Sequence, residues 1–235
     1  MKTFLLLAHP DDELFLLPIL ICESDLTILY LTNPIRFQNS IEFLTIQFPK
    51  VIFLQINDLL FSDGAISQEF EEESLQLIVN FLNKGNFDRL IGHNFENSHQ
   101  DHDAVAAICE RIQKEVNLET LFTNLYTFRQ NSKWLVGVRE NPNSEGSKSV
   151  LYWSAGRGEL IWLSLKGFIN YRREWRVWFH LGPLLLWSYL FHPRMNAQMA
   201  PSPRGSFTPR WVYFSPYGQD VVQKFVLKLR DCEVY

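Results

Sequence analysis

Two clusters of polar residues in this sequence combine side chains that bind divalent cations with side chains that move protons. The first cluster is Ala8-His9-Pro10-Asp11-Asp12-Glu13, which directly follows the apolar run 3–7. The second is His99-Gln100-Asp101-His102, which follows a later apolar run. Imidazole nitrogens and carboxylate oxygens are zinc ligands, and a carboxylate beside a bound metal can act as a general base. Together the two clusters predict a hydrolytic metal site.

The elements that must position these clusters are short apolar runs alternating with segments of helical spacing. The predicted strands are 3–8, 26–32, 51–56, 89–94, 121–128 and 134–138. The predicted helices are 13–23, 36–48, 68–83 and 102–116, with further helices at 166–179 and 220–229 after a surface loop at 140–149. This alternation predicts an α/β fold with a Rossmann-like, mostly parallel sheet and helices on both faces.

In a parallel sheet the turns after the first and fourth strands leave from the same edge and can meet there. His9 and Asp12 are three residues apart, and a helix that begins in their turn would let both converge on one cation. Asp11 would then lie beside the cation, where it could take a proton from water. Of His99 and His102, one can complete the ligand set, and the other would face the substrate to stabilise an oxyanion or protonate a leaving nitrogen.

With these motifs the chain resembles the PIG-L/LmbE family of zinc-dependent N-deacetylases, which act on N-acetylated sugars in glycolipids, thiol glycosides and antibiotics. The resemblance covers roughly residues 1–130. The family's Ala/Pro-His-Pro-Asp-Asp-Glu motif is complete at residues 8–13, and its His-Pro-Asp-His motif stands at residues 99–102 with Gln100 in place of proline. A second departure is the bulky run 14–18, where the family usually has small residues.

The resemblance implies a metal and a set of residues that act with it. His9, Asp12 and His102 would bind the metal, and Asp11 would be the general base. The implied metal is Zn²⁺, with Fe²⁺ as an alternative because it also accepts two histidines and a carboxylate.

The same matching implies roles for residues around the metal. His99 would be the acid or oxyanion partner, Asp101 would orient it, and Glu13 would brace the first turn without binding the metal. Arg36 resembles a family arginine that holds a sugar hydroxyl or phosphate, although the acid usually found three residues later is Asn39 here.

Several polar residues outside the motifs have both a functional and a structural interpretation. Asn97, like Asn94, precedes the second motif and is a candidate for binding substrate, although loop asparagines commonly bond their own backbone. Asp63-Gly64 predicts a turn. The histidines with no supporting pattern, which we expect to be structural, are His93, His180 and His192.

The last third of the chain differs in composition from the rest. Residues 1–150 carry 11 Lys/Arg against 21 Asp/Glu, whereas residues 151–235 carry 11 against 5 and hold six of the seven tryptophans. We therefore expect a deacetylase core at 1–150 and an aromatic, basic extension at 151–235 that packs on it. Its arginines and tryptophans could cap the substrate or contact a membrane surface, or the tryptophans could simply fill a second core.

Composition also bears on location and partners. Three widely spaced cysteines indicate buried thiols in a reducing compartment, and acids at 11–13 interrupt the N-terminal apolar run before it resembles a secretory signal. We therefore expect a cytoplasmic protein. The apolar run 181–191 is too short to span a bilayer. The acidic core argues against nucleic acid as a partner. Nothing in the sequence indicates an oligomeric state.

The expected function is zinc-dependent hydrolysis of the acetamide of an N-acetylglucosamine-type sugar in a lipid-, nucleotide- or thiol-linked glycoconjugate. One alternative is an amidase that cleaves a larger acyl group or a thiol-glycoside conjugate by the same mechanism. A third interpretation is a catalytically silent glycan- or metal-binding protein. The presence of Asp11 and His99, which binding alone does not require, favours an enzyme.

Overall fold

The structure is a computed structural model that describes residues 1–32, 34–96, 99–128, 134–136, 149–191, 193–199, 224–225 and 228–229 of the 235-residue chain. The strands are β1 (Thr3–Leu7), β2 (Leu26–Tyr30), β3 (Ile52–Leu54), β4 (Arg89–His93), β5 (Glu119–Thr123), β6 (Tyr126–Phe128), β7 (Trp134–Val136), β8 (Ser149–Ser154) and β9 (Arg194–Gln198). The α-helices are α1 (Leu17–Cys22), α2 (Pro34–Gln47), α3 (Ile66–Glu69), α4 (Glu72–Gly85), α5 (Gln100–Glu115), α6 (Arg157–Asn170) and α7 (Trp175–Phe191).

The main sheet of the described residues has the strand order β3-β2-β1-β4-β5-β9-β8. Strands β3, β2, β1, β4 and β5 are parallel to one another, and β9 and β8 add an antiparallel edge. The predicted α/β fold with a Rossmann-like, mostly parallel sheet is therefore confirmed. β1 and β4 are neighbours in space, but the chain passes through β2 and β3 between them. This reversal opens a crevice at the carboxyl ends of β1 and β4.

The packing of strand β1 explains why residues 4–7 are all apolar. Side chains on a strand point alternately to its two faces. Phe4 and Leu6 pack in a core with α4 and α5, whereas Leu5 and Leu7 pack in a second core with α1 and α7. Because helices cover both faces, every position of β1 is buried.

The chain after residue 149 continues this sheet and covers one of its faces. Strand β9 pairs with β5, and β8 pairs with β9. Helices α6 and α7 bury Leu163 and Leu185 in the same core as Leu5 and Leu7. The division of the chain at residue 150 stays a prediction.

Several element boundaries differ from those predicted. The segment 13–23 is a 3₁₀ turn at Asp12–Phe15 followed by α1, since Pro18 can occupy a first-turn position but not a helix interior. The segment 68–83 is divided into α3 and α4, and 166–179 is divided between α6 and α7. The predicted strand 121–128 is two strands, β5 and β6, which belong to different sheets.

Some predictions lie outside the described residues. These are the loop at 140–148, His192 and most of the predicted helix 220–229, in which residues 224, 225, 228 and 229 are helical.

The tryptophans after residue 150 are divided between the core and the surface. Trp153 and Trp178 are buried, whereas the exposed ones are Trp162, Trp175 and Trp187, and Trp211 lies outside the described residues. Helix α7 therefore presents an apolar stripe to solvent. None of the described helices combines the length and apolar composition that crossing a bilayer requires. Contact of this region with a membrane surface stays a prediction.

Close packing of α6 against the first motif gives a testable prediction. A Cβ added at Gly167 would lie 2.8 Å from Leu14 Cδ1, whereas one at Gly158 of the same helix meets nothing within 4 Å. We expect Gly167→Ala to lower the free energy of unfolding by about 1–3 kcal/mol through overpacking. Gly158 is the second residue of α6, so Gly158→Ala should raise it by at most about 0.5 kcal/mol, because alanine is the better helix former but its advantage is greatest in a helix interior. Urea denaturation measures both, and equal effects of the two variants would contradict the packing described.

Candidate metal centre

The turn that follows β1 holds the first motif in a tight, buried conformation. Asp11 has a φ of 127°, in the region that favours glycine. The backbone N–H of His9 donates to Asp12 Oδ2 over 2.8 Å, and the N–H of Asp12 donates back to the His9 carbonyl over 3.2 Å. The N–H of Asp11 donates to Glu13 Oε2 over 2.8 Å. The backbone of the motif is thus hydrogen-bonded to its own acids.

Asp12 lies at the centre of the cluster. Its Oδ1 is 3.3 Å from His102 Nε2, and its Oδ2 is 3.3 Å from His93 Nε2 and 3.6 Å from His9 Nδ1. Burial alone would raise the pKa of this carboxyl, but the charge of His102 and contacts with the three imidazoles hold the pKa well below its usual value. Asp12 is therefore ionised at neutral pH.

His9 turns its other nitrogen toward two further carboxylates. Its Nε2 lies 3.0 Å from Asp101 Oδ2 and 3.0 Å from Asp63 Oδ1. Burial lowers the pKa of His9, but the contacts with Asp101, Asp12 and Asp63 outweigh it, so the pKa is raised well above its ordinary value. His9 therefore carries a proton at neutral pH in the absence of metal.

The remaining imidazoles form a stack beside His9. His93 and His102 have ring centroids 4.3 Å apart and an interplanar angle of 10°, and His99 lies 4.6 Å from His102. His102 Nδ1 contacts Glu96 Oε2 at 3.1 Å. Burial lowers the pKa of His102, but Asp12 and Glu96 outweigh it and raise the pKa to about 10. Burial and neighbouring imidazoles lower the pKa of both His93 and His99.

Backbone N–H groups donate to two of these rings, and for His99 this fixes which nitrogen carries a proton. The N–H of Asp101 donates to His99 Nδ1 over 3.3 Å, so neutral His99 carries its proton on Nε2. The N–H of Ala8 donates to His93 Nε2 over 3.0 Å. His93 Nδ1 is buried and has no hydrogen-bond partner among the described residues.

Three sets of side chains within this cluster bring potential metal ligands together. In each set one donor atom per residue lies within 4.8 Å of the others; the sets are His9/His99/His102, Asp12/His93/His102 and His9/Asp63/Asp101. Buried imidazole and carboxylate donors at this separation suit a borderline cation such as zinc. The donor set present therefore fits a metal ion.

Most of the residues predicted for the site meet in this cluster. His9, Asp12, His99, Asp101 and His102 contact one another, and Asp11 lies in the same turn. The Asp101 carboxylate contacts His9 rather than His99, to which only its backbone N–H extends. Asn97 and the side chain of Arg36 lie outside the described residues.

Three residues of the cluster were not predicted. Strand β4 ends in His93, Glu96 follows it, and Asp63 comes from the predicted Asp-Gly turn before α3. Gly64 adopts a φ of 83° and its N–H donates to Asp101 Oδ2 over 2.7 Å, which draws Asp63 to His9. The sequence signal for Asp63 was an Asp-Gly turn, and the signal for His93 and Glu96 was polar residues at the end of a strand. Both patterns more often have a structural explanation than a functional one.

Known structures share this architecture, although no model of a known protein family and no curated protein matches the sequence. A triple mutant of the deacetylase of teicoplanin biosynthesis superposes with a TM-score of 0.58 at 12% identity, over 84% of this chain and 96% of that chain. The deacetylase of the A40926 pseudoaglycone gives 0.57 at 11% identity, over 88% and 98%. The zinc-inhibited form of the teicoplanin deacetylase gives 0.54 at 11%, over 84% and 96%.

The chain has the fold of these deacetylases. The likeness confirms the fold that the resemblance of the two motifs implied. This fold brings both motifs to the crevice between β1 and β4.

Asp101 joins His9 to the backbone of Gly64 and Ile66, and replacing it tests this connection. Its carboxylate is fully buried and accepts hydrogen bonds from Gly64 N, Ile66 N and His9. Asp101→Ala leaves the two backbone donors without this acceptor and leaves His9 Nε2 with Asp63 alone, and we expect a loss of about 2–3 kcal/mol in the free energy of unfolding. Asp101→Asn keeps one acceptor oxygen and should lose less. Urea denaturation of the metal-free proteins checks this, and an unchanged midpoint for Asp101→Ala would contradict it.

Proposed function

We propose that the protein is a zinc-dependent hydrolase that removes the acetyl group from an N-acetylated aminosugar in a glycoconjugate. The observation that carries this proposal is the buried contact of Asp12 with His9 and His102, next to Asp11, in the crevice of a deacetylase fold. Similar structures include a teicoplanin deacetylase in complex with teicoplanin and a zinc-inhibited form of it, which supports a sugar-bearing substrate and a metal.

The proposed metal ligands are His9, Asp12 and His102; His9 and His102 belong to one of the three donor sets, and Asp12 and His102 belong to another. When bound, zinc acidifies a water molecule and polarises the carbonyl of the acetamide. The contact of His9 Nε2 with Asp101 leaves His9 Nδ1, which faces Asp12, as the nitrogen available to a metal. Glu96 plays the equivalent part for His102, since it contacts Nδ1 and leaves Nε2 beside Asp12. Carboxylates that hold the distal nitrogen of a ligand histidine orient it and increase its basicity.

Two further residues supply the proton chemistry of amide hydrolysis. We assign Asp11 as the general base, because it lies between the proposed ligands His9 and Asp12 in a strained turn, where Glu13 holds its backbone N–H. His99 is neutral at neutral pH and carries its proton on Nε2, so it can donate a hydrogen bond to the developing oxyanion. Asp11 would pass the proton taken from water to the leaving nitrogen, and collapse of the tetrahedral intermediate then releases acetate and the free amine.

The proposed substrate is N-acetylglucosamine linked to a lipid, a nucleotide or a thiol conjugate. We propose that the reaction takes place in the cytoplasm.

The test is acetate release from a panel of such acetamides by protein reconstituted with one equivalent of zinc. Metal-free protein and protein with excess zinc are assayed in parallel. Release that requires one equivalent supports the proposal. Cleavage restricted to longer acyl amides would replace it with the amidase, and zinc binding without turnover would replace it with a binding protein.

Replacement of the proposed base should separate catalysis from metal binding. Asp11→Asn keeps the size of the side chain, and asparagine tolerates a positive φ. We expect kcat to fall by about 10³-fold, within the range for loss of a general base, with zinc content unchanged. Steady-state kinetics and metal analysis measure the two effects. Retained turnover would remove Asp11 from this role.

The protonation of the metal-free cluster predicts how zinc binding depends on pH. His9 and His102 have raised pKa values and are protonated at pH 7, so each must lose a proton to present a lone pair. Binding should therefore release about two protons and should strengthen as pH rises toward 10. Calorimetric titration with zinc at pH 7, in two buffers of different ionisation enthalpy, counts these protons.

The same zinc titration of two histidine variants tests whether His102 is a ligand. His102→Ala should weaken zinc binding by more than about 100-fold, because it removes a ligand rather than a residue behind one. His180→Ala changes an exposed histidine outside the cluster and should bind zinc as the parent protein does. Equal affinities of the two variants would exclude His102 as a ligand.

A further inference from the structure

The carboxylate of Glu13 is completely buried and collects four hydrogen-bond donors from distant parts of the chain. Its Oε2 accepts from the N–H of Asp11 over 2.8 Å and from the Tyr30 hydroxyl over 3.1 Å. Its Oε1 accepts from Ser40 Oγ over 3.0 Å and from the Tyr171 hydroxyl. These donors come from the first turn, β2, α2 and the segment between α6 and α7. Glu13 therefore joins the chain after residue 149 to the proposed general base.

Three of these donors are hydroxyls that also contact one another. Tyr30 and Ser40 lie 2.7 Å apart, so their two hydroxyl protons are shared among three contacts. Tyr171 donates to Glu13 and is itself in hydrogen-bonding contact with Ser40, so it belongs to the same network. The ring of Tyr171 is fully buried near Trp178 of α7, with ring centroids 6.3 Å apart. The position of this hydroxyl is therefore set by the packing of α6 and α7.

One backbone group of the network, the N–H of Asp11, bears directly on the proposed chemistry. Glu13 holds the N–H of Asp11, whose φ of 127° is one that residues with a Cβ rarely adopt. Such a conformation persists only where surrounding contacts enforce it. Loss of a donor to Glu13 would let its carboxylate shift, and the Asp11 turn could then relax.

We propose that Tyr171 is a positioning residue for the reaction: its hydroxyl fixes the Glu13 carboxylate, which holds Asp11 in its catalytic conformation. The chain after residue 149 thus completes the active site from behind, and helices α6 and α7 must be docked for full turnover. This inference rests on the proposed function of Asp11 as general base.

Tyr171→Phe removes the hydroxyl and keeps the ring. The matched control is Tyr189→Phe, because Tyr189 is also a buried tyrosine of this region and its hydroxyl donates to the carbonyl of Leu14, in the same turn, over 2.7 Å. Both variants lose one buried hydroxyl, but only the first loses a donor to Glu13. Kinetics are measured on zinc-reconstituted protein with an acetamide that the parent protein cleaves.

We expect Tyr171→Phe to lower kcat at least tenfold, with KM within twofold of the parent and zinc content unchanged. Tyr189→Phe should keep kcat within twofold. Tyr30→Phe, which removes a donor to the other Glu13 oxygen, should show the same kcat-only loss as Tyr171→Phe and serves if that variant is too unstable to assay. Equal kcat values for Tyr171→Phe and Tyr189→Phe would overturn the proposal.

Amide hydrogen exchange at Asp11 tests the positioning without any activity. The Asp11 N–H should exchange at least tenfold faster in Tyr171→Phe than in the parent protein or in Tyr189→Phe. If the parent protein cleaves no acetamide, the proposed function fails, and this exchange rate alone decides whether Tyr171 positions Asp11. Equal exchange in the three proteins would overturn the proposal even if the enzyme is active.

Discussion

The structure depends on burying one ionised carboxylate, that of Asp12, in the crevice at the end of β1. Removal of a carboxylate from water costs several kcal/mol unless charged or polar partners replace the solvent. Asp12 finds them in His9 from its own turn, His93 from β4 and His102 from α5. The turn after β1, the end of β4 and the beginning of α5 must therefore meet at one point, and the order β2-β1-β4-β5 of the sheet brings them there.

The histidines are in turn held by other acids. Asp101 and Asp63 contact His9, and Glu96 contacts His102. In the metal-free cluster these contacts keep two imidazoles protonated while burial keeps His93 and His99 neutral. Such a balance of charges suits a site that accepts a divalent cation in exchange for protons.

The sequence was sufficient to predict the parallel sheet and the meeting of the two motifs, because both follow from strand-like runs and from polar residues directly after them. It did not reveal His93, whose strand position has an ordinary structural explanation, or Asp63, which reaches the cluster only because Gly64 adopts a positive φ. The 3₁₀ conformation at Asp12–Phe15 and the link from Tyr171 to Glu13 depend on tertiary contacts between residues far apart in the chain, so no local pattern indicates them.

The central claim is that the cluster around Asp12 is a metal site. The most direct measurement is an anomalous difference map at the zinc absorption edge from crystals of protein containing one equivalent of zinc. We predict a single strong peak bounded by His9, Asp12 and His102. A peak at another group of residues, or no peak at a zinc content of one per chain, would contradict the claim.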